Sequence, residues 1–142
     1  VSEPVFYEES DPSRWRLAIR IVAMPAHTNA DGDIFGGWLM SQLDLAGATV
    51  AIQAANGRVT TVAVNELRFV APVLVGDLVD IYARLHRTGN TSLTVELRAW
   101  SRREQDPGSR HEVAEALITY VAIGPNGRPR PVAGASAAGK TD

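Results

Sequence analysis

The sequence predicts an α+β domain in which a five-stranded antiparallel sheet wraps around one long central helix. Three observations predict it. Only one stretch has the three- and four-residue apolar period of a helix, and it follows the first strand-like run. Five other runs alternate, or are continuously apolar, in the manner of strands. The last four of these are separated by turn formers: Pro72 with Gly76-Asp77, then Gly89-Asn90, then Asp106-Pro107-Gly108. One helix against five such strands leaves a two-layer packing as the natural solution.

The elements follow in order. The 142 residues suit a single core. Residues 1–13 are polar with two prolines and are expected to form an irregular lead-in. The folded domain is expected over 14–131. Over 14–24, Trp15, Leu17, Ile19, Ile21 and Ala23 share one parity, with Arg14, Arg16 and Arg20 on the other, which predicts a half-buried strand. Pro25 ends it, and a loop of turn formers runs to Asp33. From Gly37 to Ala55 the pattern is helical, with Leu39, Leu43, Ala46, Val50 and Ala54 on the apolar face and Gly57 as the stop. Ala46, Gly47, Ala48, Ala51, Ala54 and Ala55 make this helix unusually slim, so it is expected beneath a curved sheet.

The run 59–71 changes parity between Val62/Val64 and Leu67/Phe69, which predicts a bulge near Asn65-Glu66. Residues 77–87 place Val79, Ile81, Ala83 and Leu85 opposite Asp80, Arg84 and His86. Residues 92–103 point Leu93, Val95, Leu97 and Ala99 inward. Residues 111–123 are apolar on both faces, as a central strand would be. One helix cannot cover both of those faces, which argues for self-association. Residues 132–142 are Gly- and Ala-rich without period, and a tail without order is expected there.

Composition narrows the chemistry. Hydrophobic residues make up 45% and charged residues 21%, an ordinary globular balance. A formal net charge of −2 argues against nonspecific nucleic-acid binding. The chain has no cysteine, which removes disulfides and thiolate chemistry. No His–x–x–x–His spacing occurs, so no metal site is expected. No apolar run approaches the roughly 20 residues of a membrane span. The N-terminus is acidic and lacks the features of a signal peptide, so a cytoplasmic location is expected.

The most informative stretch runs from Met24 to Asp44. A polar loop containing Asn29 leads into Gly36-Gly37, and an apolar helix follows with one carboxylate, Asp44, two turns inside. These are the parts of an acyl-transfer site. Glycine lets a substrate approach the backbone. A helix N-terminus offers unpaired N–H groups to a developing oxyanion. An acid among apolar neighbours can act as base or nucleophile. Each residue also has a plainer reading: Asp44 as a solvated helix residue, Asn29 as a turn former, the glycine pair as a simple bend. His27 reads as solvated. Ser41 lacks a nucleophile elbow. Arg98, Arg102 and Arg103 read as a solvated strand end.

In this stretch the sequence resembles the hotdog-fold acyl-CoA thioesterases, specifically their YciA-like branch. The likeness rests on Met24-Pro25, Thr28-Asn29-Ala30, Gly32-Asp33-Ile34-Phe35-Gly36-Gly37-Trp38, and Met40-Ser41-Gln42 with Asp44. It continues through Gly57-Arg58-Val59, Thr61-Val62-Ala63-Val64, Phe69 with Pro72, Val75-Gly76-Asp77 and Asn126-Gly127-Arg128. It covers about residues 15–131. The resemblance implies hydrolysis of acyl-CoA to free acid and CoA, with Asp44 as base or nucleophile, the Gly36 N–H as oxyanion donor and Asn29 assisting. It implies no cofactor, CoA being part of substrate and product. It also implies dimers that assemble further into tetramers or hexamers. The turn Gly89, Asn90, Thr91 and Ser92 is expected to meet the CoA moiety. Relatives often carry Arg before two hydroxyl residues there, so an arginine contact to phosphate falls away. The chain also departs at Asn65-Glu66, where the family tends to have Glu then Ser.

One consequence is geometric. Gly36 and Asp44 are eight residues apart, about 12 Å along one helix. A carbonyl needs its attacker and its oxyanion donor within roughly 3 Å of the reacting atoms. Gly36 of one subunit is therefore expected to work with Asp44 of its partner. Two other functions compete. A hotdog dehydratase would couple a His with a carboxylate, and no His is suitably placed. A non-catalytic acyl-CoA-binding module would have no need of an acid in its apolar helix.

Overall fold

The computed structural model describes residues 11–103 and 105–132. Expectations for 1–10 and 133–142 lie outside the described residues. The elements are β1 (Arg16–Val22), a 3-10 turn over Pro25–His27, α1 (Gly36–Ala55), β2 (Val59–Phe69), β3 (Asp77–Thr88), β4 (Ser92–Arg103) and β5 (Asp106–Ala122). The strands form one antiparallel sheet in the order β1-β3-β4-β5-β2. α1 lies across it and touches every strand. Among the described residues no helix is long and apolar enough to cross a membrane.

The core is the seam between α1 and the inner face of the sheet. Leu39, Leu43, Ala46 and Val50 pack from α1 against Val79, Ile81 and Ala83 of β3 and Val95, Leu97 and Ala99 of β4. The inward rows are in register: Ile81 pairs with Ala99, Ala83 with Leu97, and Leu97 in turn with Ala116. Small residues on α1 let the two layers approach closely. Gly47 is the extreme case, since a Cβ there would collide with the hydroxyl of Tyr120 on β5. A second cluster of Ala55, Leu93, Ala122 and Val132 closes the far end of α1. Val132 thus packs one residue into the range expected as tail.

Both ends of α1 have a physical explanation. Phe35 at the N-cap supplies no side-chain acceptor, and the first turn holds no acidic residue. The C-terminus is finished by Asn56, not Gly57: Asn56 takes the left-handed conformation at φ 51° and its N–H returns to Gln53. The Arg130 guanidinium adds a hydrogen bond to the Ala55 carbonyl at 3.0 Å, a cation placed where the helix dipole favours it.

Several details differ from the sequence-based expectation. β1 is shorter than 14–24. A register shift between Leu17 and Ile19 breaks its alternation, so Leu17 and Trp15 are exposed while Ile19 and Ile21 pack on the core. Trp15 instead lies beneath the Arg84 guanidinium, 4.4 Å from the ring centre. Asp80, on the polar parity of β3, is buried and held by two hydrogen bonds from Arg20 at 2.6 and 2.9 Å. β5 begins at Asp106, earlier than 111, because Arg103 and Asp106 already pair in a tight hairpin. It lies second from the sheet edge.

The edge strand β2 contains the bulge expected at Asn65: Val64 pairs with Ile118 and Glu66 with Leu117. A second register shift falls between Thr61 and Ala63. Together they bend β2 and leave Val62, Val64 and Phe69 exposed.

The close approach at Gly47 can be measured. Gly47→Ala is expected to destabilise the fold by about 1–3 kcal/mol, the usual cost of overpacking, read from the denaturant midpoint. Combining it with Tyr120→Phe should recover part of that loss by removing the colliding oxygen.

Candidate active site

Asp44 is the only ionisable side chain on α1. It is half-buried. Its Oδ1 accepts hydrogen bonds from Thr61 Oγ1 at 2.7 Å and from the Tyr120 hydroxyl at 3.1 Å. The same hydroxyl lies 2.8 Å from the Asp44 backbone carbonyl. Oδ2 has no partner among the described residues. Thr61 and Tyr120 face each other directly across β2 and β5, so one cross-strand pair supplies both donors. Burial pushes the Tyr120 phenol above its ordinary range, and the adjacent Asp44 charge and hydrogen bond push the same way. Tyr120 is therefore a neutral donor at any working pH.

Gly36 and Gly37 stand exposed at the start of α1. The N–H groups of a first helical turn have no partner within the helix, and Phe35 does not cap them with its side chain. The N–H of Trp38 returns to Phe35 O, which leaves the two glycine amides for an outside acceptor. The Phe69 ring lies over Gly36, its Cζ 3.0 Å from where a Cβ would sit. Beside it opens an apolar cavity of about 210 Å³ lined by Ile34, Phe35, Gly36, Leu39, Phe69 and Val73, among others.

The loop before α1 folds back onto the helix start. His27 stacks on Trp38 with ring centres 4.7 Å apart, and Thr28 bridges to Ile34. Asn29 braces this loop. Its Oδ1 accepts the N–H groups of Asp31 and Asp33 at 2.9 and 3.1 Å, and its own N–H donates to Asp33 O. Two donors on that oxygen fix which side-chain atom is which. The amide nitrogen of exposed Asn29 remains without a partner among the described residues.

Asn29 and Gly36 thus share the N-terminal end of α1, while Asp44 sits about 12 Å further along. The structure does not bring Asp44 to Gly36 within one chain. The turn Gly89–Ser92 lies at the other end of α1. Its backbone is tied down by hydrogen bonds from the Val132 N–H to Asn90 O and from the Ala122 N–H to Thr91 O. The histidines stand apart from Asp44: His27 Nδ1 accepts the Met24 N–H at 3.1 Å, His111 Nδ1 lies 2.7 Å from Ser109 O, and His86 lines a cavity with Glu66, Arg68, Glu96 and Arg98. Ser41 is occupied by a bond to Trp38 O. Among the described residues no group of three His, Cys, Asp or Glu side chains could hold a metal.

Thr61, Tyr120 and Phe69 were not singled out as site residues from the sequence. Tyr120 shares the parity of Ile118 and Ala116, which reads as core. The available signal was Gly47, three residues after Asp44, which makes room for a large inward side chain.

Fold and site together define an α+β domain of the hotdog type, with a carboxylate and an uncapped glycine amide on its central helix. A family profile for the thioesterase superfamily matches residues 31–107. The chain belongs to the thioesterase superfamily. It is 49% identical to the acyl-CoA thioester hydrolase YciA of Salmonella typhimurium over 118 residues, covering 82% of this chain and 89% of that one. Among solved structures it is similar to the hexameric thioesterase y2039 of Yersinia pestis, at 48% identity and a TM-score of 0.78, covering 82% of this chain and 94% of that one. It is also similar to HI0827, a hexameric broad-specificity acyl-coenzyme A thioesterase, at 43% identity and a TM-score of 0.77, covering 82% and 80% respectively.

The two halves of Asn29 can be separated. Asn29→Asp keeps an oxygen to brace the loop but loses the amide donors; Asn29→Ala loses both. Only the alanine variant should lower the thermal midpoint. Both should lower kcat roughly tenfold, the scale of one hydrogen bond. An aspartate variant with full turnover would make Asn29 a loop brace alone.

Proposed function

We propose that this chain hydrolyses acyl-CoA to a free acid and CoA, with Asp44 driving the reaction, the Gly36 N–H holding the oxyanion and Asn29 assisting through its amide. One observation carries this reading. Asp44 has one oxygen fixed by two hydroxyls and the other without a partner, on a helix with no other charge.

The chemistry follows from the free oxygen. As general base, Oδ2 takes a proton from water as the water oxygen bonds to the thioester carbon. The Gly36 N–H and the helix dipole stabilise the resulting oxyanion. Collapse breaks the C–S bond, and the proton returns to the departing thiolate. As nucleophile, the same oxygen would form a mixed anhydride that water then opens. Both routes need the same geometry.

That geometry is completed by a second subunit. The apolar surface around Asp44 is extensive: Met40, Leu45 and Ile52 on α1, with Val62, Val64 and Phe69 on β2, are all exposed. β2 is also an unpaired sheet edge. A two-fold axis beside β2 would cover this patch and set Gly36 of one chain against Asp44 of its partner. The apolar cavity beside Gly36 then receives the acyl chain. The CoA moiety runs toward the Gly89–Ser92 turn, about 16 Å along α1 from Asp44, where Thr91 and Ser92 offer hydroxyls to phosphate. Assembly into a hexamer is supported by the hexameric relatives. A binding module without catalysis is disfavoured by a carboxylate on an otherwise uncharged helix and by relatives named as acyl-CoA thioester hydrolases.

Two experiments test this reading. Asp44→Asn, isosteric and uncharged, is expected to lower kcat at least about a hundredfold with unchanged oligomer size. Near-normal turnover would refute the mechanism. For sharing, Asp44→Ala is mixed with Gly36→Val under conditions that exchange subunits. In a mixed dimer one site receives both damaged groups and the other neither. Activity should return to about a quarter of wild type in a random population, an estimate from two-fold symmetry. A mixture as inactive as its parents after verified exchange would place the site within one chain.

A further inference from the structure

We propose that the face of the sheet turned away from α1 carries a second ligand site, in which Arg84, Arg98 and Arg110 bind a short chain of phosphate groups. The proposal does not depend on the role of Asp44.

The pleat builds the site. Ile81, Ala83, Leu97 and Ala99 pack toward α1, so Tyr82 and Arg84 on β3, and Arg98 and Trp100 on β4, point to the opposite face. Tyr82 and Arg98 are directly opposed across the two strands. With Trp15 before β1 and Arg110 on β5 they line a cavity of about 390 Å³, in the size range that takes a small ligand. The aromatic rings hold the cations in place. The Arg84 guanidinium lies over Trp15, 4.4 Å from the ring centre. The Arg110 guanidinium lies 4.4 Å from the centre of Trp100 and 5.9 Å from that of Tyr82. A guanidinium lying over a ring keeps its N–H groups around its edge, where phosphate oxygens can take two of them at once.

The charges around this cavity do not cancel. Asp80 is taken by Arg20, Glu96 by Arg84 and Glu112 by Arg98, at 2.6, 2.9 and 3.5 Å. Arg110 has no carboxylate partner among the described residues; its guanidinium reaches the Tyr82 hydroxyl at 3.5 Å. Arg102 stands one pleat repeat beyond Trp100 on the same face. It too lacks a carboxylate among the described residues, and its Nε is buried without a hydrogen-bond partner there. A chain of net charge −2 therefore concentrates surplus positive charge at this place. The run of Arg98, Arg102 and Arg103, expected to be a solvated strand end, is divided by the pleat. Arg103 turns to Asp77 at 3.6 Å, while Arg98 and Arg102 belong to the outer face.

An anion must match that surplus. A single carboxylate meets one guanidinium fork at a time. A chain of phosphates carries several charges, presents oxygens on every side, and spans the cavity from Arg84 past Arg98 to Arg110. Such a chain is free oligophosphate or the tail of a nucleotide, and the arginines read what the two share.

The test titrates sodium triphosphate into the intact oligomer by calorimetry at about 0.15 M salt. Saturable binding is expected, with sulfate at least about tenfold weaker. Its absence overturns the proposal, as does a hexaglutamate peptide that binds where triphosphate does not. Arg110→Gln should weaken triphosphate binding about tenfold, the scale of one charge-assisted pair. Arg110→Lys keeps the charge without the fork and should lose most of the same affinity. Full binding by the lysine variant would mean a diffuse field and no site. Arg110 is exposed, so both variants should keep the wild-type thermal midpoint. Arg68→Gln removes an arginine that pairs with Glu115 outside the cavity, and should bind as wild type. An equal loss there overturns the site. ATP separates the two sources: binding at least about tenfold tighter than triphosphate assigns a nucleotide, and equal or weaker binding assigns free oligophosphate. Because α1 lies on the other face, KM for acyl-CoA should change less than about twofold in Arg110→Gln. A rise of about fivefold or more would assign Arg110 to the substrate and overturn a separate site.

Discussion

The molecule depends on how closely α1 approaches the sheet. A helix of Leu and Ile would ride higher, and no strand hydroxyl could reach its backbone. Here Ala46, Gly47, Val50 and Ala51 are all fully or nearly fully buried against the strands. That closeness admits Tyr120 with its oxygen against the helix. A buried phenol is costly without an acceptor, and the acceptor lies on Asp44, through both its carbonyl and its side chain. The packing constraint and the polar site are thus one arrangement. The carboxylate is oriented by the same contact that satisfies the core.

A second consequence concerns the sheet edge. Two register shifts in β2 set Thr61 opposite Tyr120 and within reach of Asp44, while Val62 and Val64 stay uncovered. The uncovered residues adjoin the exposed apolar positions of α1. A lone domain would gain nothing from this surface. The curvature that seats Thr61 against Asp44 also produces the patch that a second copy can cover.

Much of this was legible in the sequence, for physical reasons. The alternation of Val79, Ile81 and Ala83, and of Leu93, Val95, Leu97 and Ala99, survives because β3 and β4 lie inside the sheet, paired on both sides. There the pleat alone decides which side chains are buried. The bulge at Asn65 was legible as a change of parity. The edges were harder. Leu17 and Trp15 lost their expected burial to an irregularity in β1 that no apolar pattern announces. Asp80 read as solvent-facing because its partner, Arg20, is sixty residues away in sequence. Asp44 stood out as a lone charge in an apolar helix. Its two hydroxyl partners did not, because Thr and Tyr are common strand residues and their chemistry depends on the register between strands. Asn29 was legible as a turn former or as a site residue. The structure assigns its oxygen to the turn and leaves its nitrogen over.

The position of these groups along α1 is the reason for proposing a site shared between subunits. The proposed oxyanion donor is a first-turn amide, which has no partner within the helix. Asp44 lies further in, where Thr61 and Tyr120 reach it. On a straight helix these two demands are incompatible with a single carbonyl, because the rise of about 1.5 Å per residue separates them. In the proposed dimer, antiparallel pairing of two such helices across a two-fold axis would remove the conflict, bringing the start of one beside the third turn of the other. The exposed glycines, the bent edge strand and the apolar patch around Asp44 are the features such a pairing needs.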